Sequence, residues 1–356
     1  MRTPVRTAIV GNLQAINVLL PAFQALPQFQ VLALCGRDRQ RTQSAAAQAG
    51  VPAAYESWQS LVDDPAIDAV ALALPPFLQS QAAICLARAG KNLFCEKPLG
   101  ANLCEAEAVC AAMAEAKRIG VVNFGFRMVE AFRDFRAIAR SGLLGRPEFV
   151  LVEWLLSVRR NPALTWNWKS NAAQGGGCLA MMGSHPLDYL RWFFGEILSV
   201  RCQTAALLPT RQESGTGRPR PVEADDTCNV LVTLVPAIPA EVTISTVLAV
   251  PGGHRIRAWF EKGMLELANS PGDDTFENFT LAFVPAKGTA AGLRAEVEAL
   301  AVLSRCKPCF PGRVGISQRM VAEFAKALSG EPSLAPAMED GLEVQRALER
   351  AARSGA

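Results

Sequence analysis

The stretch KNLFCEKPLG, residues 91–100, carries an apolar run into Glu96, Lys97 and Pro98. An ammonium set just past a buried strand can hydrogen-bond or deprotonate a hydroxyl while hydride leaves the same carbon. Pro98 fixes the backbone that carries it. By position alone, Lys97 reads equally as a solvated charge after a strand. A second group lies in GGGCLAMMGSHPLDYLRWFFGE, residues 175–196. There Ser184 is expected to cap a helix with Pro186 in its first turn and Leu187, Leu190, Trp192 and Phe194 inward. His185 then falls at the helix N-terminus, where the dipole disfavours imidazolium and Asp188 favours it. A histidine so balanced suits acid–base work or the holding of a substrate oxygen; a satisfied packing histidine is the alternative. The triple glycine leaves room for a ligand near the backbone. Trp166 and Trp168, just before it, offer flat faces to a sugar-like ring or to a core.

These residues need rigid elements behind them, and the chain is long enough to supply two cores: 356 residues, half of them apolar and 19% charged. Lysine and arginine number 36 against 33 acids, which gives no electrostatic case for nucleic acid or an anionic membrane surface. The longest apolar stretch, AVALALPPFL, is broken by a proline pair, so no membrane span is expected. The opening MRTPVRTAIVG enters a strand almost at once, and the expected location is the cytoplasm. Of the ten cysteines, Cys35, Cys85, Cys95, Cys110, Cys178 and Cys228 sit in apolar runs, where a thiol acts as a small hydrophobe. The pair Cys306 and Cys309 lacks the second pair or nearby histidines of a zinc site, and the chain has only two histidines, so no metal is expected.

The first 120 or so residues alternate strand with helix: TAIV, QVLALC (30–35), DAVALAL (68–74), KNLFC (91–95) and VVNFGF (121–126) are the strands. Short unbroken apolar runs separated by helices predict a doubly wound parallel sheet, with its ligand crevice at the carboxyl ends of the strands. Beyond about residue 145, strands follow one another through short turns, which predicts an open, mainly antiparallel sheet. The expected domains are 1–122 and 123–356, with the C-terminal helix able to pack back on the first. Residues 209–225, rich in proline, glycine and arginine, read as a mobile surface loop.

The opening TAIVGNLQAINVLLPAF begins as a dinucleotide-binding unit does, strand then Gly11 then helix, but Leu13 and Ile16 stand where G-x-G-x-x-G has its second and third glycines. Gly11 keeps the tight turn, and amides from about Leu13 to Ala15 can face a pyrophosphate. The Leu13 side chain is expected to hold the phosphates off, and Ile16 to push the helix from the sheet. At the tip of the second strand, LALCGRDRQR, Gly36 precedes Arg37, with Arg39 and Arg41 near. A small residue beside an arginine favours NADP(H) over NAD(H); Asp38 keeps NAD(H) open.

Taken together, the chain resembles the Gfo/Idh/MocA oxidoreductases over nearly its whole length. DAVALALPP is similar to that family's strand before the cofactor crevice, AGKNLFCEKPLGANLCEAEA to its EKP signature, and GLLGRPEFV to its domain-crossing strand. GGGCLAMMGSHPLDYLRWFFGE is similar to its glycine-rich loop and active-site helix, and MEDGLEVQRALERAARSG to its tail. The resemblance implies an α/β protein with an N-terminal Rossmann domain and a C-terminal domain with an open sheet. It further implies homodimers or homotetramers packed through that sheet, and hydride transfer between NAD(P) and a sugar, polyol or related small molecule. It makes Lys97 the catalytic lysine and His185 the active-site histidine. Gly11, Asn12, Leu13, Gln14, Gly36, Arg37, Leu74, Pro75, Glu96, Pro98 and Arg127 become cofactor-pocket residues, and Trp166, Trp168, Met181 and Asp188 substrate-side ones. Three departures stand out: the lost glycines, Gln79 where the family often has histidine, and Met181 where many members carry an acid. Two other readings therefore stay open, a non-catalytic ligand-binding or regulatory member and a redox-assisted glycosidase.

Overall fold

The computed structural model describes residues 4–272, 275–290, 292–303 and 312–354. By contacts, the chain divides into two compact units, Met1–Gly125 with Phe310–Gln345, and Phe126–Cys309 with Arg346–Ala356. Cys306 and Cys309 lie outside the described residues.

The first unit is built on six parallel strands: β1 (Val5–Gly11), β2 (Phe29–Cys35), β3 (Ala53–Tyr55), β4 (Ala69–Ala73), β5 (Asn92–Cys95) and β6 (Gly120–Val122). Their order is β3-β2-β1-β4-β5-β6, the doubly wound arrangement, so the crevice lies where β1 and β4 diverge. The apolar runs are strands because both faces are covered, and β4 is buried along nearly its whole length. Its helices are α1 (Leu20–Gln24), α2 (Arg39–Gln48), α3 (Pro76–Arg88), α4 (Leu103–Ala116) and α8 (Gly312–Leu328), with the start of α9 (Met338–Ser354). α1 packs on α8, and α3 on α4. Phe23, Phe29, Phe94 and Phe324 join ring to ring at 5.0–5.9 Å, which ties residues more than 200 positions apart into one core. Local signals set the helix starts. Asn102 and Glu105 form a reciprocal cap on α4, and the Asp38 carboxylate accepts from the Arg41 amide to start α2.

The second unit contains a seven-stranded sheet of β7 (Pro147–Leu155), β8 (Ile197–Ala205), β11 (Thr227–Leu234), β12 (Ile238–Ser245), β13 (Gly253–Phe260), β14 (Gly263–Ala268) and β15 (Thr280–Pro285). Its order is β15-β14-β13-β7-β12-β11-β8, and all pairs are antiparallel except β7 with β12. The helices α5 (Glu130–Arg140), α6 (Ser184–Phe194), α7 (Leu293–Leu300) and the end of α9 belong to this unit. Period-two burial along β11 marks one covered face and one open face. The open face carries Leu231, along with Phe149 and Trp259 in ring contact at 5.6 Å.

Several sequence expectations change in detail. The run 121–126 is strand only through Val122, and a single helical turn, Gly125–Met128, follows. Residues 209–225 hold a small hairpin that pairs β9 (Thr210–Gln212) with β10 (Pro219–Pro221), because Arg211 ties it to the carbonyls of Arg159, Asn161 and Leu164. β3 and β15 escaped the sequence reading; one is three residues long, and the other alternates too weakly to signal a buried face. Among the described residues no helix is long and apolar enough to cross a membrane.

At Gly11 the backbone takes φ +143°, and a Cβ there would lie 2.4 Å from the Ala73 carbonyl oxygen and 3.1 Å from the Ala15 methyl. Gly11→Val is therefore expected to destabilise the first unit by roughly 2–3 kcal/mol, measured by urea unfolding. An unchanged midpoint would mean that the turn has slack which the structure does not display.

Candidate functional site

In the first unit the candidate residues gather at the carboxyl ends of the strands. Glu96 and Lys97 follow β5, and Leu74 and Pro75 follow β4, where Pro75 takes the N-cap position of α3. The Glu96 carboxyl group accepts hydrogen bonds from Gln14 Nε2 at 3.2 Å and Asn123 Nδ2 at 2.9 Å. One oxygen thus ties together the ends of β1, β5 and β6. Burial of that carboxyl raises its pKa, against the opposing pull of the Asn123 bond, the Lys97 charge and Gln14.

Gln79 lies in α3 and is fully buried. Its Nε2 donates to the carbonyls of Glu96 at 2.5 Å and Pro98 at 3.1 Å. These are the carbonyls on either side of Lys97, whose bond to Pro98 is cis. The side chain that departs from the family's usual histidine therefore clamps the segment that bears the lysine. Sequence reading noted Gln79 only as a departure, because the partners are backbone atoms brought close by tertiary folding.

The opening turn differs from the expectation in one respect. Ile16 is only half-buried, and the contact with Gly11 is made by Ala15, so Ile16 does not wedge the helix off the sheet. A π-helical turn over Ala15–Leu19 shifts the register by the extra residue it accommodates. Asn12 is exposed, and Leu13 is 59% exposed, so its side chain is not packed against the sheet end. At the tip of β2, a Cβ on Gly36 would meet Thr42 Oγ1 at 2.6 Å, which makes this turn obligatorily bare. Arg37 is exposed and, among the described residues, makes no ion pair. By contrast Arg39 pairs with Glu56 at 3.2 Å, and Asp38 is engaged by α2.

In the second unit His185 lies in α6 but not at a helix start. A π-helical turn over Leu179–Gly183 runs straight into α6, and Ser184 is helical, with its hydroxyl directed to the Met181 carbonyl at 3.4 Å instead of capping. Met181 lies in that turn, its amide donating to the Gly177 carbonyl. Tyr189 and Phe193 are buried with Leu187 and Leu190, whereas Trp192 and Phe194 are only half-buried. The buried imidazole of His185 packs edge-on against Phe126 at 5.0 Å and Trp154 at 5.8 Å.

Asp188 forms a bidentate pair with Arg127, Nε to Oδ2 at 3.0 Å and Nη2 to Oδ1 at 2.5 Å, and both partners are buried. The two residues that sequence reading assigned to cofactor and substrate thus hold each other, joining α6 to the turn at 125–128. Trp166 gives one ring face to the Arg220 guanidinium at 3.3 Å, while its Nε1 donates to the Pro221 carbonyl at 2.9 Å, so that face is not open to a sugar. Trp168 is half-buried with the Lys169 ammonium 5.8 Å from its ring centroid.

A second buried pair carries no motif in the sequence. Tyr189 Oη lies 3.0 Å from His254 Nε2, and the His254 ring stacks on Trp154 at 4.5 Å. Burial pushes the His254 pKa down to about 3 and raises that of Tyr189. The imidazole is therefore neutral at pH 7. Only the sheet register, which sets His254 opposite Trp154, reveals this group.

Residues 5–124 match the model of the GFO/IDH/MocA oxidoreductase family with its NAD-binding Rossmann fold, and residues 132–266 match the GFO/IDH/MocA C-terminal domain. An uncharacterised oxidoreductase of Synechocystis sp. is 28% identical over 340 residues, which covers 94% of this chain and 90% of that protein. Levoglucosan dehydrogenase of Pseudarthrobacter phenanthrenivorans is 29% identical over 218 residues, 57% of this chain and 55% of that enzyme. Among solved structures, levoglucosan dehydrogenase in complex with NADH and levoglucosan superposes with a TM-score of 0.82 at 19% identity, covering 99% of this chain and 97% of that one. A dehydrogenase from Bordetella pertussis in complex with NADH and UDP-GlcNAcA gives 0.77 at 19% identity, covering 100% and 96%.

The depressed pKa of His254 has a direction in pH. Above about pH 6.5 the imidazole is neutral in both folded and unfolded chains, and its contribution is fully present. As pH falls from 6.5 toward 3 the unfolded chain takes up a proton that the folded chain refuses, and stability is lost. Between pH 7 and 4.5, His254→Gln is expected to lose about 2–3 kcal/mol less stability than the natural chain, measured by urea unfolding at both values. Equal losses would mean that His254 protonates inside the fold.

Proposed function

This chain belongs to the GFO/IDH/MocA family of NAD-binding oxidoreductases, and from that premise we propose that it transfers hydride between a nicotinamide dinucleotide and a CH–OH or carbonyl carbon of a sugar, polyol or related compound. The observation that carries this reading is Lys97 at the carboxyl end of β5, with the carbonyls on both sides held by Gln79. A backbone so held limits where the Lys97 amine can reach, which the positioning demanded by acid–base catalysis requires.

The residues fit a dinucleotide. Gly11 and Gly36 are bare where a Cβ would collide with the fold, and the outward turn of Leu13 keeps its side chain off the sheet end. The first turn from Gly11 through Asn12, Leu13 and Gln14 would hold the pyrophosphate, Gly36 and Arg37 the adenosine ribose, and Leu74, Pro75, Glu96 and Pro98 the walls. Bound there, the nicotinamide supplies the hydride acceptor or donor. Lys97 takes the hydroxyl proton during oxidation and returns it during reduction. His185 holds a substrate oxygen. The Arg127–Asp188 pair positions α6, and so His185.

Arg37 supports NADP(H) as the preferred form, since it is an exposed cation at the β2 tip with no ion pair among the described residues, while the Asp38 carboxylate is committed to α2. Substrates of the sugar class are favoured by levoglucosan dehydrogenase among the relatives. The open sheet face with Leu231, Phe149 and Trp259 is the surface through which copies would pair. The eight described cysteines are all free thiols, in keeping with a reducing cytoplasm.

Lys97→Met is expected to lower turnover of an accepted sugar or polyol by about 10²–10⁴-fold, while the dissociation constant of NADPH, read by its fluorescence, stays within about threefold. Retained turnover would remove Lys97 from the mechanism. If the natural chain binds neither NADPH nor NADH at millimolar concentration, the oxidoreductase reading itself fails. Arg37→Ser is expected to weaken NADPH by about 10–100-fold and leave NADH unchanged, since only the 2′-phosphate loses a charge-assisted bond. Equal loss for both would place Arg37 elsewhere on the cofactor.

A further inference from the structure

Behind the glycine-rich loop, three soft or anionic donors of the second unit converge, and a fourth lies on the neighbouring strand. Cys178 follows the triple glycine, Cys202 lies in β8, and Asp225 and Cys228 flank the start of β11. One ligand atom from each of Cys178, Asp225 and Cys228 lies within 4.8 Å of the others. Cys202 lies outside that group of three, on the strand beside Cys228. The register brings the last two thiols together: Cys228 opposes Thr204 and Val230 opposes Cys202, which puts the cysteines diagonally on the covered face of the sheet. All three cysteines are buried.

We propose that Cys178, Cys202, Cys228 and Asp225 form a structural site for a thiophilic divalent cation of the zinc class. Cys178, Cys228 and Asp225 supply three donors of the kind such an ion takes in closed tetrahedral sites, and Cys202 would turn in from the neighbouring strand as the fourth. With the ion in place an excess of negative charge remains, and the half-buried Arg159, whose charge acts on Cys178, offsets it.

The site has a mechanical consequence. Asp225 already holds the loop, accepting from the Leu179 amide through Oδ2 at 2.7 Å and from the Cys178 amide through its backbone carbonyl at 2.9 Å. Gly177, at φ +106°, lets that carboxylate in, since a Cβ there would stand 2.3 Å from Asp225 Oδ1. An ion shared by Cys178, Asp225 and the two strand cysteines would lock this turn to β8 and β11. The turn leads directly into α6, so the lock would fix where the helix bearing His185 begins. This site is independent of the hydride-transfer reading and stands or falls without it.

The test uses the full chain, reduced and stripped of metal with a chelator. One equivalent of cobalt(II) is expected to give thiolate-to-cobalt charge transfer with the intense visible bands of a tetrahedral site, displaced by zinc(II). X-ray absorption of the zinc form is expected to show three sulfurs at about 2.3 Å and one lighter ligand. Cys228→Ser should weaken zinc at least about 100-fold in competition with a chromophoric chelator, with circular dichroism checking its fold. The Cys306→Ser/Cys309→Ser double variant should keep the site. Absence of one-to-one uptake, fewer than three sulfurs, or loss of the site in the double variant would each overturn the proposal. The sulfur count on the natural chain decides the matter even if Cys228→Ser fails to fold.

Discussion

At Gly11 three parts of the chain compete for the volume of one methyl group. β1 ends there, the Ala73 carbonyl of β4 faces it, and Ala15 closes over it from the following helix. Because no side chain fits, the chain can turn sharply out of the sheet and begin a helix above the point where β1 and β4 part. The placement of Gln14 follows from this. Gln14 lands within reach of Glu96, and Glu96 in turn binds Asn123, so three strand ends are held as one rim. The usual second and third glycines prove dispensable to this packing, since Ala15 is small enough for the tight contact and a π-helical turn absorbs the shift.

The rim illustrates how buried polar groups specify a site. Gln79 could have been replaced by an apolar residue of similar size at little cost to burial, but the carbonyls of Glu96 and Pro98 would then lose their donor. An unsatisfied buried carbonyl costs about 1–3 kcal/mol, so the amide does more to define the backbone around Lys97 than to add stability. In the second unit Arg127 and Asp188 play the same part between the turn at 125–128 and α6. A buried ion pair gives little net stability, yet removal of either partner leaves an uncompensated charge, typically costing about 3–5 kcal/mol. Such a pair fixes geometry more than it strengthens the fold.

The second unit also sorts its two histidines by environment. His254, between Trp154 and Tyr189, is locked neutral by burial in an aromatic cluster, and it serves packing and one hydrogen bond. His185 shares Phe126 and Trp154 with it as ring neighbours but sits on the helix that leaves the glycine-rich loop. The thiols divide similarly: Cys35 and Cys95 are buried in strands of the first sheet, whereas Cys178 and Cys228 meet beside Asp225 with Cys202 on the neighbouring strand.

The sequence by itself determined the two sheets and the turn at Gly11. It also determined the position of Lys97 past β5 and the family to which the chain belongs. Each of these is written in local periodicity, in a turn residue or in a contiguous motif, and such signals survive without knowledge of distant neighbours. Only the tertiary structure decided what holds those groups. The Ser184 cap gave way to a π-helical turn, because packing on the sheet favoured a continuous helix over a local side-chain bond. Asp188 pairs with Arg127, 61 positions away. Trp166 found Arg220, Gln79 found the backbone around Lys97, and three cysteines without motif spacing met across a strand register. Each of these is a contact between residues far apart in the chain. Hydrogen bonds, ion pairs and ring contacts depend on distances of a few ångströms that only the packed fold creates.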